Sequence, residues 1–142
     1  MIRKMGDDEI ADIMGLWLRS TIDAHDFIEE QYWHDHYVAV QEEYLPRSTT
    51  FVFSEDDRIL GFISMIDQGY VGALFVATDQ QGRGIGTALI DHVRKRYDRL
   101  SLAVYKKNDR AVRFYKIAGF HIRSERVDTQ TQELEYLMET DC

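Results

Sequence analysis

Three glycines, Gly82, Gly84 and Gly86, fall at alternate positions between a segment with strand character and a segment with helix character. Residues 70–76 are apolar, and residues 87–97 carry apolar side chains three and four residues apart. A chain that turns so tightly from strand to helix requires glycine, and it leaves the first backbone N–H groups of the helix without partners. The turn therefore predicts an α/β (α+β) fold, and its N–H groups are suited to binding a phosphate.

Hydrophobic periodicity along the rest of the sequence predicts further strands and about four helices. No repeat, low-complexity run or linker interrupts the pattern, so we expect one domain over residues 1–142. The expected order is a strand near Ile2, helices over residues 10–17 and 29–44, strands over 49–54, 59–66 and 70–76, a helix over 87–97, a strand over 100–104, a helix over 108–119, and strands over 120–127 and 134–138.

The sequence predicts a soluble, cytoplasmic protein. Its first residues lack the apolar core of a signal peptide, and no apolar run is long enough to cross a bilayer. Cys142 is the single cysteine, which excludes an intramolecular disulfide and suggests a reducing compartment. Its terminal position also argues against a buried catalytic thiol.

Charge is distributed unevenly along the chain. The formal net charge is −8, but residues 1–70 hold 5 basic and 15 acidic side chains, whereas residues 71–116 hold 10 basic and 4 acidic ones. This asymmetry suggests an anionic ligand near the middle segment and a cationic one elsewhere, although scattered solvated surfaces would give the same counts. The sequence pI of about 5.0 argues against a nucleic-acid partner.

The glycine turn differs from two common nucleotide loops. No Lys-Ser or Lys-Thr pair follows the glycines, as a P-loop requires, and their spacing does not match the dinucleotide fingerprint G-x-G-x-x-G. The pattern Gln81-x-x-Gly84-x-Gly86 instead resembles the acetyl-CoA signature of the GNAT superfamily, Q/R-x-x-G-x-G/A.

A second resemblance to the GNAT superfamily lies downstream, at the distance usual for that family. The two motifs together are far more specific than either alone. The second motif reads Asn108-x-x-Ala111-x-x-Phe114-Tyr115-x-x-x-Gly119-Phe120.

The resemblance implies the GNAT fold, in which a central mixed sheet is splayed between its fourth and fifth strands and flanked by helices. Acetyl-CoA would be the co-substrate, with its pantetheine arm on the backbone of one splayed strand and its pyrophosphate on the glycine turn. Lys106 or Lys107 could add positive charge nearby. The implied cofactor-binding residues are Phe75, Val76, Gln81, Gly82, Arg83, Gly84, Ile85, Gly86, Thr87, Asn108 and Tyr115.

The resemblance also implies an acyl-transfer mechanism in which an amine attacks the thioester directly. Tyr115 would protonate the departing thiolate as general acid, and a backbone N–H near Val76 would stabilise the oxyanion. The alternative interpretation of Tyr115 is a half-buried core aromatic, and the two flanking motifs favour the catalytic role. Asn108 could contact the pantetheine arm, cap the following helix, or do both.

The general base is less well defined, because residues 70–76 contain no carboxylate, whereas many family members have one on this strand. Candidate bases are His25, Glu43, Asp67 and Tyr70, the last acting through a water molecule. The remaining histidines do not suggest a metal site, since His34 and His36 (i and i+2) point to different sides of a helix.

The sequence most resembles a branch of small bacterial N-acetyltransferases, the YiaC and YjaB type, which includes proteins regarded as lysine acetyltransferases. It shares Trp17, His25-x-Phe27 and Tyr32 with that branch. We therefore expect an acetyl-CoA-dependent N-acetyltransferase acting on a protein lysine or a small cationic amine. The alternative is a non-catalytic acyl-CoA-binding or sensing module, and the sequence fits a monomer and a homodimer equally well.

Overall fold

The structure, a computed structural model, describes residues 1–141 and consists of a mixed sheet with helices on both faces. Cys142, and the prediction made for it, lie outside the described residues. The strands are β1 (Ile2–Lys4), β2 (Thr49–Glu55), β3 (Arg58–Ile66), β4 (Tyr70–Val76), β5 (Ser101–Tyr105), β6 (Phe120–Val127) and β7 (Leu134–Thr140). The helices are α1 (Ile10–Ala24), α2 (Glu30–Ala39), α3 (Ile85–Arg94) and α4 (Asp109–Ile117), so the predicted order of elements is confirmed.

The second helix is shorter than its predicted span of residues 29–44. It is α-helical only as far as Ala39, and then widens into a π-helical turn over Val40–Tyr44 and a 3-10 turn over Leu45–Arg47. Pro46 explains the change, because a proline has no N–H to donate and its ring would clash with the carbonyl four residues earlier in an α-helix.

The third helix begins earlier than predicted and ends sooner. Gly84 caps it in the left-handed conformation, so the helix starts at Ile85, directly after the turn. It ends at Arg94, where the backbone N–H of Arg96 bonds to the carbonyl of Val93 and tightens the last turn. The periodic apolar pattern up to Tyr97 thus continues into the loop before β5, where Tyr97 still packs against the core.

The sheet is splayed at its centre, as the resemblance implied. Its order is β1-β2-β3-β4-β5-β7-β6, and every neighbouring pair is antiparallel except β4 and β5. These two parallel strands pair at one position only, Tyr70 with Ser101. Beyond that position β5 diverges, so the edge of β4 that faces it has no strand partner.

Two apolar clusters, one on each face of the sheet, hold the helices in place. Along β2 the side chain of Phe51 belongs to the cluster under α3 and α4, and the next residue, Val52, belongs to the cluster under α1 and α2. In β3, Ile63 and Phe62 divide between the two clusters in the same way. Strands buried on both faces have apolar side chains at consecutive positions, which is why these segments are continuous apolar runs.

A charged contact joins β1 to the start of α1. The Arg3 guanidinium donates to both carboxylate oxygens of Glu9, at 2.7 and 2.8 Å, and the Gly6 N–H donates to Glu9 Oε1 at 2.8 Å. The hydrogen bonds from Arg3, and secondarily from Gly6, lower the pKa of Glu9 from 4.5 to about 2. Since the folded state favours the ionised carboxylate, this contact stabilises the fold above about pH 4.5 and loses its effect as the pH falls towards 2.

We therefore expect Glu9→Gln to lower the free energy of unfolding modestly at pH 7, and the difference from the parent protein to shrink as the pH is lowered through 4. Urea titrations at several pH values measure it. Asp79→Asn is the comparison variant, because the Arg58–Asp79 pair has the same chemistry but is solvent-exposed, so its removal should lower the free energy of unfolding less than Glu9→Gln does. A loss of stability that is the same at pH 4 and pH 7 would contradict the assigned role of the Glu9 carboxylate.

Candidate active site

The divergence of β4 and β5 opens a cleft of about 1220 Å³. Its walls are formed by the exposed edge of β4, by β5, by the glycine turn before α3, by α4 as far as Tyr115 and by the end of α1, with one residue each from α2 and β7. Of the predicted site residues, it brings together Phe75, Val76, Gln81, Gly82, Gly84, Ile85, Gly86, Thr87, Asn108, Tyr115 and His25.

Gly84 sets the geometry of the turn at one end of the cleft. Its φ of +80° lies in the left-handed region, which side chains other than glycine adopt only with strain, and no neighbouring atom lies within 4 Å of where a Cβ would be. The first helical hydrogen bond of α3 joins the Ala88 N–H to the Gly84 carbonyl. The N–H groups of residues 85–87 therefore have no helical partner and are available to an anion at the positive end of the helix.

Gly86 ties the two sequence motifs together in space. A Cβ at this position would lie 3.1 Å from the ring of Phe114, so any larger residue would require that ring to shift by a few tenths of an ångström. Gln81 supports the same turn, since its side-chain amide donates to the Val76 carbonyl at 3.3 Å. The turn is thus held both to the end of β4 and to α4.

The positive charges of the cleft differ in part from those expected. Arg83 does not line the cleft, because its guanidinium pairs with Glu55 of the β2–β3 hairpin at 3.1 Å. Lys106 also points elsewhere and pairs with Glu125 at 3.1 Å. Lys107 lines the cleft, but its ammonium pairs with Glu133 at 3.1 Å. Two basic residues that were not singled out from the sequence line it as well, Arg110 and Arg113 in the first turns of α4. Their spacing of three residues after a predicted N-cap was the available signal.

Asn108 caps α4. Its side-chain oxygen accepts a hydrogen bond from the Ala111 N–H at 3.3 Å, which confirms the predicted capping role. The residue also lines the cleft, so the N-terminus of α4, like that of α3, lies at the cleft wall.

Tyr115 lies on α4, with its ring packed against Phe114 and Phe120 at centroid distances of 5.3 and 5.4 Å. Burial, and secondarily the neighbouring Tyr70 hydroxyl, raises the pKa of Tyr115 well above its ordinary value. The hydroxyl is therefore protonated at neutral pH. No other residue among 1–141 accepts a hydrogen bond from it, so it can donate to a group in the cleft.

His25 follows α1 and is 8% exposed. Its Nδ1 lies 2.7 Å from the Thr21 carbonyl oxygen, and its ring stacks on Trp33 with centroids 5.0 Å apart. A carbonyl oxygen only accepts, so Nδ1 carries the hydrogen and Nε2 carries the lone pair. Burial lowers the pKa of His25 and outweighs the opposing effect of the Thr21 carbonyl, which keeps the ring neutral.

The other candidate bases do not line the cleft. Glu43 and Asp67 are exposed on turns. Tyr70 lies at the vertex of the splay, where burial is the main cause of its raised pKa. Of the proposed bases, His25 alone is brought to the cleft wall.

Two further properties hold for residues 1–141. No three or more His, Cys, Asp or Glu side chains in this part of the chain are grouped closely enough to hold a metal ion. None of its helices combines the length and the apolar character that a membrane span requires.

Comparison with known proteins places this architecture in a family. The acetyltransferase (GNAT) domain family matches residues 19–133. Peptidyl-lysine N-acetyltransferase YiaC of Escherichia coli (strain K12) is 39% identical over 138 residues, which cover 97% of this chain and 94% of YiaC. Peptidyl-lysine N-acetyltransferase YjaB of the same strain is 32% identical over 127 residues, 87% of this chain and 85% of YjaB.

Solved structures agree with the sequence comparison. The solution structure of apo-form YjaB from Escherichia coli superposes with a TM-score of 0.84 at 27% identity and covers 98% of this chain and 95% of YjaB. A Bacillus anthracis protein crystallised in complex with acetyl coenzyme A superposes with a TM-score of 0.61 at 18% identity, over 68% of this chain and 64% of its own, a likeness that shows the fold alone. The resemblance seen in the motifs is confirmed: this chain belongs to the GNAT family of acetyltransferases.

Proposed function

We propose that this protein, as a single domain over residues 1–142, transfers the acetyl group of acetyl-CoA to a primary amine of a protein lysine or a small cationic molecule. The observation that carries the proposal is the cleft between β4 and β5, which has unpaired backbone along one wall, free helix N–H groups at one end and the Tyr115 hydroxyl in its lining. Both Escherichia coli relatives are named peptidyl-lysine N-acetyltransferases, which supports lysine as the acceptor.

The residues of the cleft fit acetyl-CoA. Phe75 and Val76 lie on the stretch of β4 that β5 does not pair with. Backbone groups alternate between the two edges of a strand, and the Ala77 N–H bonds to Leu60 of β3, so the Val76 N–H faces the cleft and could pair with a pantetheine carbonyl. The N–H groups of residues 85–87 suit a pyrophosphate, and Arg110 and Arg113 supply positive charge for the other phosphate oxygens. When bound, acetyl-CoA would supply an activated acetyl group with a thiolate leaving group.

Tyr115 is suited to supply the proton that the leaving sulfur requires. As the amine nitrogen bonds to the acetyl carbon and the carbon–sulfur bond breaks, the electron pair passes to sulfur, and the Tyr115 hydroxyl can give it a proton. A tyrosine hydroxyl is protonated at neutral pH, so its proton is present when the sulfur becomes basic. The proton that nitrogen loses can restore the tyrosine, so one ammonium group yields an amide, a thiol and one released proton.

His25 is the proposed base. An alkyl amine with a pKa of about 10.4 is almost entirely protonated at neutral pH and must lose a proton before it can attack. The neutral imidazole has its lone pair on Nε2, and its N–H is held by the Thr21 carbonyl. This arrangement lets the ring accept a proton directly or through a water molecule.

The first prediction concerns acetyl-CoA binding. Ligand at roughly 100 times its dissociation constant should stabilise the fold by about 2.7 kcal/mol, which corresponds to a rise in Tm of about 5 to 10 °C. Exchanging Arg110 and Arg113 together for glutamine should weaken binding and flatten its dependence on salt, because two charges near the phosphates are lost. Differential scanning fluorimetry over a range of acetyl-CoA concentrations measures both effects.

Lys106→Gln is the matched control for the arginine variant, because it removes a nearby positive charge that does not line the cleft. It should bind acetyl-CoA like the parent protein. No rise in Tm at millimolar acetyl-CoA would contradict the proposal that the cleft binds acetyl-CoA. Binding without thiol release for any member of a broad amine panel would favour the non-catalytic acyl-CoA-binding module instead.

Tyr115→Phe should lower kcat about 100-fold and leave acetyl-CoA affinity nearly unchanged, because it deletes a proton donor and keeps the ring packing. Steady-state thiol release, together with the Tm shift by acetyl-CoA, separates the two quantities. Tyr136→Phe serves as the control, since Tyr136 packs against the same apolar cluster but does not line the cleft. An unchanged kcat in Tyr115→Phe would exclude Tyr115 as the general acid.

His25→Asn retains an N–H donor for the Thr21 carbonyl but removes the Nε2 lone pair. For the parent enzyme we expect kcat/KM to fall at low pH with a midpoint below 6.5, because burial lowers the pKa of His25. In the variant, kcat/KM should no longer show this fall at low pH, and its value at neutral pH should be about 10- to 100-fold lower than in the parent. His92→Asn, outside the cleft, is the control. An unaltered pH profile in His25→Asn would assign the base elsewhere.

A further inference from the structure

Glu135 of β7 places a carboxylate in the wall of the cleft, and this carboxylate has no role in the acetyl transfer proposed above. The carboxylates that line the cleft are Asp23, Asp109 and Glu135. Asp23 and Asp109 are on exposed residues, whereas the Glu135 side chain is only 12% exposed. Withdrawing a carboxylate from water is unfavourable unless it is paired, so its position calls for a partner.

Arg126 forms a hydrogen bond with only one of the two carboxylate oxygens of Glu135. Its Nε donates to Glu135 Oε1 at 2.6 Å, and β6–β7 pairing places the two residues directly opposite each other. An ionised carboxylate accepts through both oxygens. Within residues 1–141 no other side chain or backbone group donates to Glu135, so Oε2 remains available to a ligand.

Sheet pairing brings Glu135 beside the reacting groups. It lies opposite Tyr105 of β5, one of the two strands that border the cleft. The negative charge of Glu135 contributes to the raised pKa of Tyr70, and Tyr70 contributes to that of Tyr115. Tyr70 is therefore close enough to both to be influenced by Glu135 and to influence Tyr115, which puts Glu135 in the neighbourhood of the proposed proton donor.

Two parts of the cleft lining differ in character. Arg110 and Arg113 make the wall formed by α4 basic and suited to phosphates. Glu135, on β7, is accompanied in the lining by aromatic side chains, among them Trp33 and Tyr105, which suit an alkyl stem. Lys107 lies near the same aromatic group, but its ammonium is paired with Glu133 at 3.1 Å. A carboxylate beside aromatic side chains is the chemistry that recognises an ammonium group on a flexible hydrocarbon chain.

We propose that the Glu135 carboxylate binds the ammonium group of the acceptor, with Oε2 accepting its hydrogen bond while Arg126 holds Oε1. The inference rests on the proposed function, since it assigns a residue to the amine side of that reaction. The ligand class is a primary alkylammonium ion, as in a lysine side chain or a polyamine.

The test is the steady-state kinetics of the Glu135→Gln variant. Thiol release is the readout, and Nα-acetyl-lysine methylamide and spermidine are the two acceptors. Removing the charge at nearly constant shape should raise the KM for the better acceptor about tenfold or more, as expected for loss of a charge-assisted hydrogen bond. The KM for acetyl-CoA and the Tm shift caused by acetyl-CoA should stay as in the parent enzyme.

Glu139→Gln is a closely matched control. Glu139 lies four residues along β7, on the same face of the strand, and pairs with Arg123 at 2.6 Å, but it does not line the cleft. It should leave the amine KM unchanged. Equal effects of the two variants, or a Glu135→Gln enzyme with an unchanged amine KM, would overturn the assignment.

Parent activity separates the inference from the proposed function. If the parent protein acetylates neither acceptor nor any other amine of a broad panel, both the proposed function and the role of Glu135 are contradicted. If the parent is active and the Glu135→Gln variant has an unchanged amine KM, only the role of Glu135 is contradicted. If Glu135→Gln does not fold, Glu135→Asp preserves the charge on a shorter stem. It should then show a raised amine KM at unchanged acetyl-CoA KM, and parent-like values for both would overturn the proposal.

Discussion

The single hydrogen-bonded position between β4 and β5 is the constraint on which the rest of the structure depends. Tyr70 and Ser101 keep the two halves of the sheet joined, and every residue beyond them lies on diverging strands. The sheet tolerates this divergence because β4 pairs with β3 along its other edge, apart from one bulge at Gly72, and β5 pairs with β7. The free edge of β4 still carries backbone groups that must find partners in water or in a ligand. The cleft is therefore built into the topology and does not arise from an irregular loop.

Two helices give the cleft a positive electrostatic potential at the wall where they begin. The N-termini of α3 and α4 both lie at the cleft wall, one capped by Gly84 and the other by Asn108. Free N–H groups and the positive end of each helix dipole favour an anion there. The close contact of Gly86 with Phe114 sets the spacing of the two helices, so the glycine motif and the aromatic motif depend on each other.

The parts of the site that sequence reasoning located are those formed by contiguous motifs. Gln81 to Thr87 and Asn108 to Tyr115 each form one turn and the start of one helix, so local spacing was sufficient to place them. The prediction for Arg83 could not anticipate Glu55, because that partner comes from a hairpin far back in the sequence. Similarly, the helix predicted over residues 29–44 departs from α geometry at Val40 because of Pro46, and periodicity alone does not reveal where a proline takes effect.

The sequence by itself determined the order of strands and helices, the glycine turn, the cap of α4 and the family, because each of these depends on neighbouring residues and fixed spacing. The tertiary structure alone decided which charges face the cleft. Glu135 reaches it only because β7 lies between β5 and β6, a neighbour relation that reverses the sequence order of the last two strands. His25 reaches it only because α1 ends at the same cleft. Pairing between distant segments determines such positions, and no local periodicity encodes it.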